Sequence, residues 1–247
     1  FYSFDERDHF NIDGYIETPD DFDLIVSLGG DGSILSIVRK MKYRQIPILG
    51  VHIGNLGFLN HCNLSNFKRY IDIIAKSNLI SFKEHILISA SLESNDTLIS
   101  INALNDIVIN QKDIPRILNL DVYVDGILLN TFNADGIIFA TPLGSTAYSL
   151  SSGGPIISPD VNCIILTPIS PHALSTRPIV LNSNTIIEVY SVNSKSPISV
   201  SFDGQETHSI FGEQSVCIKT TKNTSAKFVY TGYEDCYYKK LRNKLGW

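Results

Sequence analysis

Ser27-Leu28-Gly29-Gly30-Asp31-Gly32-Ser33 closes the apolar run that begins at Phe22 and opens a helical pattern, so it reads as a glycine-rich turn from strand to helix. Ile25, Val26 and Leu28 lie in a short apolar run with the length of a buried strand, and Ile34, Leu35, Val38 and Met41 then recur at helical spacing. Glycines at such a turn let the backbone approach a bulky anion, and the helix N-terminus behind it adds partial positive charge. Gly29, Gly30, Gly32 and Ser33 are therefore candidate phosphate-binding residues. Asp31 is the odd member, because a carboxylate repels an anion unless it does chemistry, holds a metal or binds a hydroxyl. The competing reading is a tight turn with an Asp/Ser helix cap.

Working outward, the next segments continue the α/β pattern. Residues 46–53 give a second buried strand, Gly54, Asn55 and Gly57 a loop ending in Phe58, and Ser65 is placed to cap a helix with Phe67, Tyr70, Ile71 and Ile74 on one face. Two strands, each followed by a loop and helix, predict a Rossmann-like parallel sheet with its ligand outside the strand carboxyl ends. From about Glu84 the texture becomes β-rich: residues 86–92, 98–110 and 117–124 alternate or are β-branched, and Asp125-Gly126 is a two-residue hairpin signal. Residues 164–167, 185–192, 197–202 and 216–220 continue a sandwich- or barrel-like sheet.

The segment Asp135-Gly136-Ile137-Ile138-Phe139-Ala140-Thr141-Pro142-Leu143-Gly144-Ser145-Thr146-Ala147-Tyr148-Ser149-Leu150-Ser151-Ser152-Gly153-Gly154-Pro155 interrupts that pattern with small residues and hydroxyls around a strand, a turn and a short helix. Such residues let a flat ligand lie against backbone while hydroxyls and freed N–H groups hold it. The alternative is a small-residue packing seam between two sheets. No G-x-S-x-G surrounds these serines, which disfavours a hydrolase elbow.

Composition narrows the class. The chain has 247 residues, 43% hydrophobic and 18% charged, enough for one large core or two moderate ones. A net charge of -5 argues against nucleic acid or an anionic membrane as partner. Cys62, Cys163, Cys217 and Cys236 are scattered, and His9, His52, His61, His85, His172 and His208 lack metal-ligand spacing, so no protein-held metal site is expected. The chain starts at Phe1 without Met, and a leading segment that carries any targeting signal is expected before it.

Taken in order, Gly29-Gly30-Asp31-Gly32-Ser33, Gly54-Asn55-Leu56-Gly57-Phe58-Leu59, Asn105-Asp106, Asp135-Gly136 through Gly154-Pro155, and Ser201-Phe202-Asp203-Gly204 resemble the motifs of the NAD kinases. The run from Thr167-Pro168 to Arg177-Pro178-Ile179-Val180 looks like the eukaryotic branch. The resemblance covers about Phe22 to Gly204. It implies an α/β nucleotide-phosphate domain, residues 1–84 with 227–247 returning to it, and a β-rich NAD-binding domain, residues 85–226. By resemblance Asp31 accepts the proton of the 2′-hydroxyl of the adenosine ribose, and the glycine backbone cradles ATP phosphates accompanied by Mg²⁺. Asn105 and Asp106 grip the ribose, although the family usually has Glu where this chain has Asp106. Asp31, Gly32, Phe58, Asp135, Thr146, Ala147, Tyr148 and Ser151 complete the implied NAD site, Phe58 beside the adenine and Asp135 receiving the nicotinamide amide. Phe58 and Tyr148 as plain core aromatics, and Asp203-Gly204 as a simple turn, are the competing readings. A homodimer or homotetramer and a cytoplasmic location are further expectations.

Two rival functions share the first motif or the pocket. A lipid or sphingoid kinase has a similar glycine-rich aspartate loop but no reason to carry Asn105-Asp106 beside Thr146-Ala147-Tyr148. A catalytically silent NAD-binding sensor has no need of Asp31.

Overall fold

The computed structural model describes residues 22–42, 44–54, 57–77, 79–94, 97–111, 117–192, 197–211, 214–230 and 237–246. The lead-in 1–21 with His9, the pair Asn55-Leu56, Cys236 and Trp247 lie outside the described residues.

The first third alternates strand and helix: β1 (Ile25–Leu28), α1 (Asp31–Met41), β2 (Ile48–His52), β3 (Cys62–Asn63) and α2 (Leu64–Ser77). β1 and β3 both run parallel to β2. Because strand side chains alternate faces, Ile48 joins Ile34, Leu35, Val38 and Met41 of α1 in one core, and Leu49 joins Phe67, Tyr70, Ile71 and Ile74 of α2 in another. The apolar helix faces read from the sequence are the buried ones.

The cap of α2 differs from expectation. Asn63, not Ser65, holds the helix start: its Oδ1 accepts the Asn66 N–H at 3.0 Å while Asn66 Oδ1 accepts the Asn63 N–H at 2.8 Å. This is a reciprocal capping box with an asparagine at each end. The Ser65 hydroxyl only donates to Asn63 Oδ1, at 2.6 Å.

The rest is β-rich: β4 (Phe82–Ser94), β5 (Thr97–Ala103), β6 (Asp106–Gln111), β7 (Leu118–Val124), β8 (Ile127–Ala134) and β9 (Gly136–Ala140). A 3₁₀ turn (Leu143–Thr146) and the one-turn α3 (Tyr148–Ser151) follow. Then come β10 (Cys163–Ile169), β11 (Ile179–Asn182), β12 (Ile187–Ser191), β13 (Ile198–Phe202), β14 (Glu206–Ile210), β15 (Ser215–Val229) and α4 (Tyr237–Leu245). Asp125 and Gly126 turn between β7 and β8 with φ of 50° and 79°, the left-handed pair that a tight hairpin requires.

Among the described residues these strands make two sheets. One is nine-stranded, ordered β1-β2-β15-β12-β7-β8 with β3, β4 and β5 attached, and the other is six-stranded, ordered β11-β10-β9-β6-β13-β14. Ile88, Leu120, Val122, Ile187 and Ile218 of the first face Ile107, Ile109, Phe139, Leu166 and Val200 of the second, a sandwich core. Residues 98–110, read above as one strand, are two: β5 lies in the first sheet and β6 in the second, with a corner at Leu104-Asn105. β15 pairs with β12 and β4 along its length and reaches β2 in parallel at Phe228↔Ile48. Ala226 and Phe228 thereby enter the α1-side core.

The cap assignment predicts that Asn63→Ala destabilises the chain by ~1 kcal/mol while Ser65→Ala costs under about half of that. Urea unfolding of both variants decides it, and the reverse order would restore Ser65 as the cap.

Candidate active site

The glycine turn leaves the start of α1 uncapped by any side chain. Gly30 is the N-cap, and no side chain caps the helix, so its first-turn N–H groups lack a side-chain acceptor. Gly29 has φ of 150°, and a Cβ there would sit 2.5 Å from the Ser33 hydroxyl, so the turn needs glycine at this point.

Asp31 heads the helix, and its carboxylate is already held. Oδ2 accepts the Phe58 N–H at 2.8 Å, and Oδ1 accepts the Leu59 N–H at 3.1 Å and the Asn60 amide at 2.8 Å. A Cβ on Gly57 would overlap this carboxylate, so the glycine admits the approach of the second loop to the first. A carboxylate offers about four lone-pair directions. Three are taken, and the one left lies on Oδ2, in a fixed orientation.

Asn105 and Asp106 stand at the corner between the sheets. Leu104 packs in the α1-side core with Ile34 and Leu35, and Leu143 packs against that core, so the corner, α1 and the small-residue segment meet at one place. Thr141 fastens them: its N–H bonds the Asn105 carbonyl at 2.9 Å, its hydroxyl bonds the Leu104 carbonyl at 2.6 Å and also accepts the Gly144 N–H at 3.1 Å. A Cβ at Gly144 would overlap the Asn105 backbone. The Asn105 side-chain amide has no partner among the described residues, whereas Asp106 is 4% exposed. Burial and the facing Asp203 carboxyl push the Asp106 pKa up to about 7, against a lowering by the Tyr148 backbone N–H.

The small-residue segment has two faces, which reconciles the two readings of it. Ser145 and Ser149 are fully buried and structural: Ser145 Oγ bonds the Pro142 carbonyl at 2.6 Å and accepts the Ile157 N–H at 3.0 Å, and Ser149 shares a hydrogen bond with Thr167 at 2.8 Å. Thr146 and Ala147 are half-buried, and Tyr148 and Ser151 are exposed on the other face. The packing seam and the open surface thus belong to alternate residues of one segment.

Asp135 is not with them. It is exposed at the start of β9, whose far end, Ala140, is opposite Asp106. Five strand residues of about 3.3 Å each put roughly 16 Å between these positions.

Two contributors were not read from the sequence as site residues. Asn60, fully buried, holds Asp31, and its type alone gave no signal. Asp203 is no mere turn: it is buried and accepts the N–H groups of Leu104 at 3.1 Å, Asn105 at 2.7 Å and Asp106 at 3.2 Å. Its carboxyl is raised by burial, against lowering by those three N–H groups and by Arg39. From α4, Lys240 donates to the Phe58 carbonyl at 3.4 Å and Tyr237 to the Ile157 carbonyl at 3.2 Å, so that helix touches both loops beside the site.

The raised Asp106 pKa has a stability consequence. A carboxyl that binds its proton more tightly folded than unfolded stabilises below the unfolded pKa, near 4, and loses that contribution as pH rises through about 7. Asp106→Asn cannot ionise and should be the more stable protein at pH 8, by on the order of 1–4 kcal/mol, with the gain shrinking towards pH 4. Urea unfolding at both pH values checks this, and a gain that is larger at pH 4 contradicts it.

Comparison with known proteins points to one family. Residues 7–78 match the model of the ATP-NAD kinase N-terminal domain, and residues 104–231 that of the ATP-NAD kinase C-terminal domain. The chain is 38% identical to the NAD kinase of Clostridium beijerinckii, across 91% of this chain and 78% of that protein. It is 37% identical to that of Geotalea daltonii, across 94% and 81%. The crystal structure of yeast NADH kinase complexed with NADH superposes with a TM-score of 0.84 at 32% identity, covering 92% of this chain and 66% of that one. An NAD kinase from Archaeoglobus fulgidus in complex with ATP gives 0.78 at 30% identity, covering 94% and 88%. With both domain models matched and relatives this similar over most of its length, the chain belongs to the NAD kinase family, and its function is that of an NAD kinase.

Proposed function

We propose that this chain transfers the γ-phosphoryl group of ATP to the 2′-hydroxyl of the adenosine ribose of NAD, with Asp31 as the proton acceptor. The observation that carries the reading is the single unclaimed lone-pair direction of Asp31 at the N-terminus of α1. Phosphoryl transfer leaves little covalent work to the protein and rests on positioning and charge. A carboxylate whose other directions are fixed by two backbone N–H groups and an amide presents one acceptor at a set angle. The backbone of Gly29, Gly30 and Gly32, with Ser33, takes the phosphates of ATP at the uncapped helix start. The open Asn105 amide grips the ribose hydroxyls, with Asp106 behind it, and Phe58, Thr146, Ala147, Tyr148 and Ser151 line the dinucleotide. Holding the two substrates in near-attack geometry supplies much of the rate.

Mg²⁺ is expected with the ATP, where it would offset triphosphate charge. Among the described residues no three His, Cys, Asp or Glu side chains converge as a metal site. Asp135 is proposed to receive the nicotinamide amide, and a homodimer or homotetramer is the proposed assembly. No helix among the described residues is long and apolar enough to cross a membrane. The lobes 1–84 with 227–247, and 85–226, are the proposed division of labour between ATP and NAD.

The test is incubation with NAD, ATP and Mg²⁺, coupled to an NADP-specific dehydrogenase. Asp31→Asn should lower kcat by roughly 10²–10⁴-fold, the usual worth of a positioned acid or base, while NAD still binds by calorimetry. Near-normal kcat in this variant would remove Asp31 from the chemistry. Phosphorylation of a diacylglycerol in place of NAD would favour the lipid-kinase alternative, and NAD binding without turnover the sensor.

A further inference from the structure

The turn 203–205, between β13 and β14, touches both halves of the site. Asp203 reaches one side: Oδ1 accepts the N–H groups of Asn105 and Asp106, Oδ2 that of Leu104, and its own N–H bonds the Asp106 carbonyl at 2.9 Å. Gln205 reaches the other. Its Nε2 donates to the Gly32 carbonyl at 2.9 Å, its Oε1 accepts from the Arg39 guanidinium at 3.0 Å, and Arg39 Nε pairs with Glu206 at 3.2 Å. Gly32 follows Asp31 directly, and Asn105-Asp106 is the ribose pair, so three residues of one turn span the donor and acceptor sides. A turn alone requires none of this. With φ of 51° at position 203, Asn would serve as well and spare the fold two carboxyls facing each other. Asn has one acceptor oxygen, however, and three N–H groups need two.

We infer that Asp203 and Gln205 are positioning residues of the phosphoryl transfer, setting the distance and angle between the Asp31 carboxylate and the ribose held at Asn105-Asp106. The inference rests on the reading of the site given under Proposed function. Asp203 fixes the backbone from which the ribose pair projects, and Gln205 locks the first turn of α1 to that same frame. Neither residue needs to touch a substrate. Misplacement of reacting groups by about 1 Å can cost on the order of 10²-fold in rate, so a latch of this kind acts on kcat.

Gln205→Ala is the deciding variant, because its side chain is exposed and the Arg39 guanidinium that it leaves keeps its ion pair with Glu206. The expected result is a kcat lowered about 5- to 20-fold, with the NAD dissociation constant changed less than about twofold and the thermal midpoint within about 2 °C. Gln205→Glu keeps an acceptor for Arg39 but loses the donor to Gly32, and should not restore kcat. Asp203→Asn should instead raise KM for NAD at least about tenfold, with KM for ATP nearly unchanged. It should also move the acid limb of kcat/KM for NAD to lower pH, since the charge facing Asp106 is gone while the Tyr148 N–H remains; Arg39 is the cation on the other side of Asp203. Normal kcat in Gln205→Ala overturns the inference whatever Asp203→Asn does. Absence of NADP formation by the unmodified chain fails the functional reading instead, so the two failures are told apart.

Discussion

Where the chain leaves β5 for β6 it crosses from one sheet to the other, and three successive amides, of Leu104, Asn105 and Asp106, turn towards Asp203 instead of a neighbouring strand. A buried N–H left unmade costs about 1–3 kcal/mol. The Asp203 carboxylate accepts all three, from a turn almost one hundred residues later in the chain. Without it the corner has no fixed path, and the elements that lean on the corner lose their reference: Thr141 on the carbonyls of Leu104 and Asn105, and Gly144 against the Asn105 backbone.

That solution has an electrostatic cost, and the cost falls on Asp106, a residue of the proposed site. Asp203 and Asp106 face each other under burial, and both are driven above the ordinary carboxylate range. Burial raises both carboxyls, and the charge on Asp203 raises Asp106 further. A fold selected for stability alone would place Asn at one of these positions. Asp31 presents the opposite case, a carboxylate surrounded by donors at a helix N-terminus, where its charge is welcome. The site thus keeps carboxylates in two contrasting environments, one satisfied and one strained, as functional sites often do at the expense of local consistency.

Much of the fold was legible in the sequence because it rests on period. The 3.6-residue spacing of Ile34, Leu35, Val38 and Met41, the β-branched runs, and the Asp125-Gly126 turn each report a local preference that the tertiary structure obeys. The corner at Leu104-Asn105 was not legible, since a chain that changes sheets in mid-run keeps its β composition. The cap of α2 was misread because Asn63 and Ser65 are both good caps by type, and only the reciprocal bond to Asn66 separates them. Motif order brought out Asp31, Asn105 and Asp106, but what each carboxylate faces depends on partners 27 to 98 residues away. The role of Asp203 was hidden for the same reason, because Asp-Gly is also what an ordinary turn looks like.

The pairing of Phe228 with Ile48 sets a timetable for how this protein comes into being. The α1-side core is closed partly by Ala226 and Phe228, and the far edge of β2, covered by β3 at Val51 and His52, keeps its Ile48 end open until β15 arrives. On a ribosome adding about 5–20 residues per second, the N-terminal strands would wait roughly 10–40 s for their last neighbour. During that interval β2 presents an unpaired, apolar edge, the kind of surface that recruits other chains. Such long-range closure also slows refolding from denaturant, because the loop entropy is lost before the contact is gained. For this chain the hazardous moment is therefore synthesis, before the strand that closes its first core has been made.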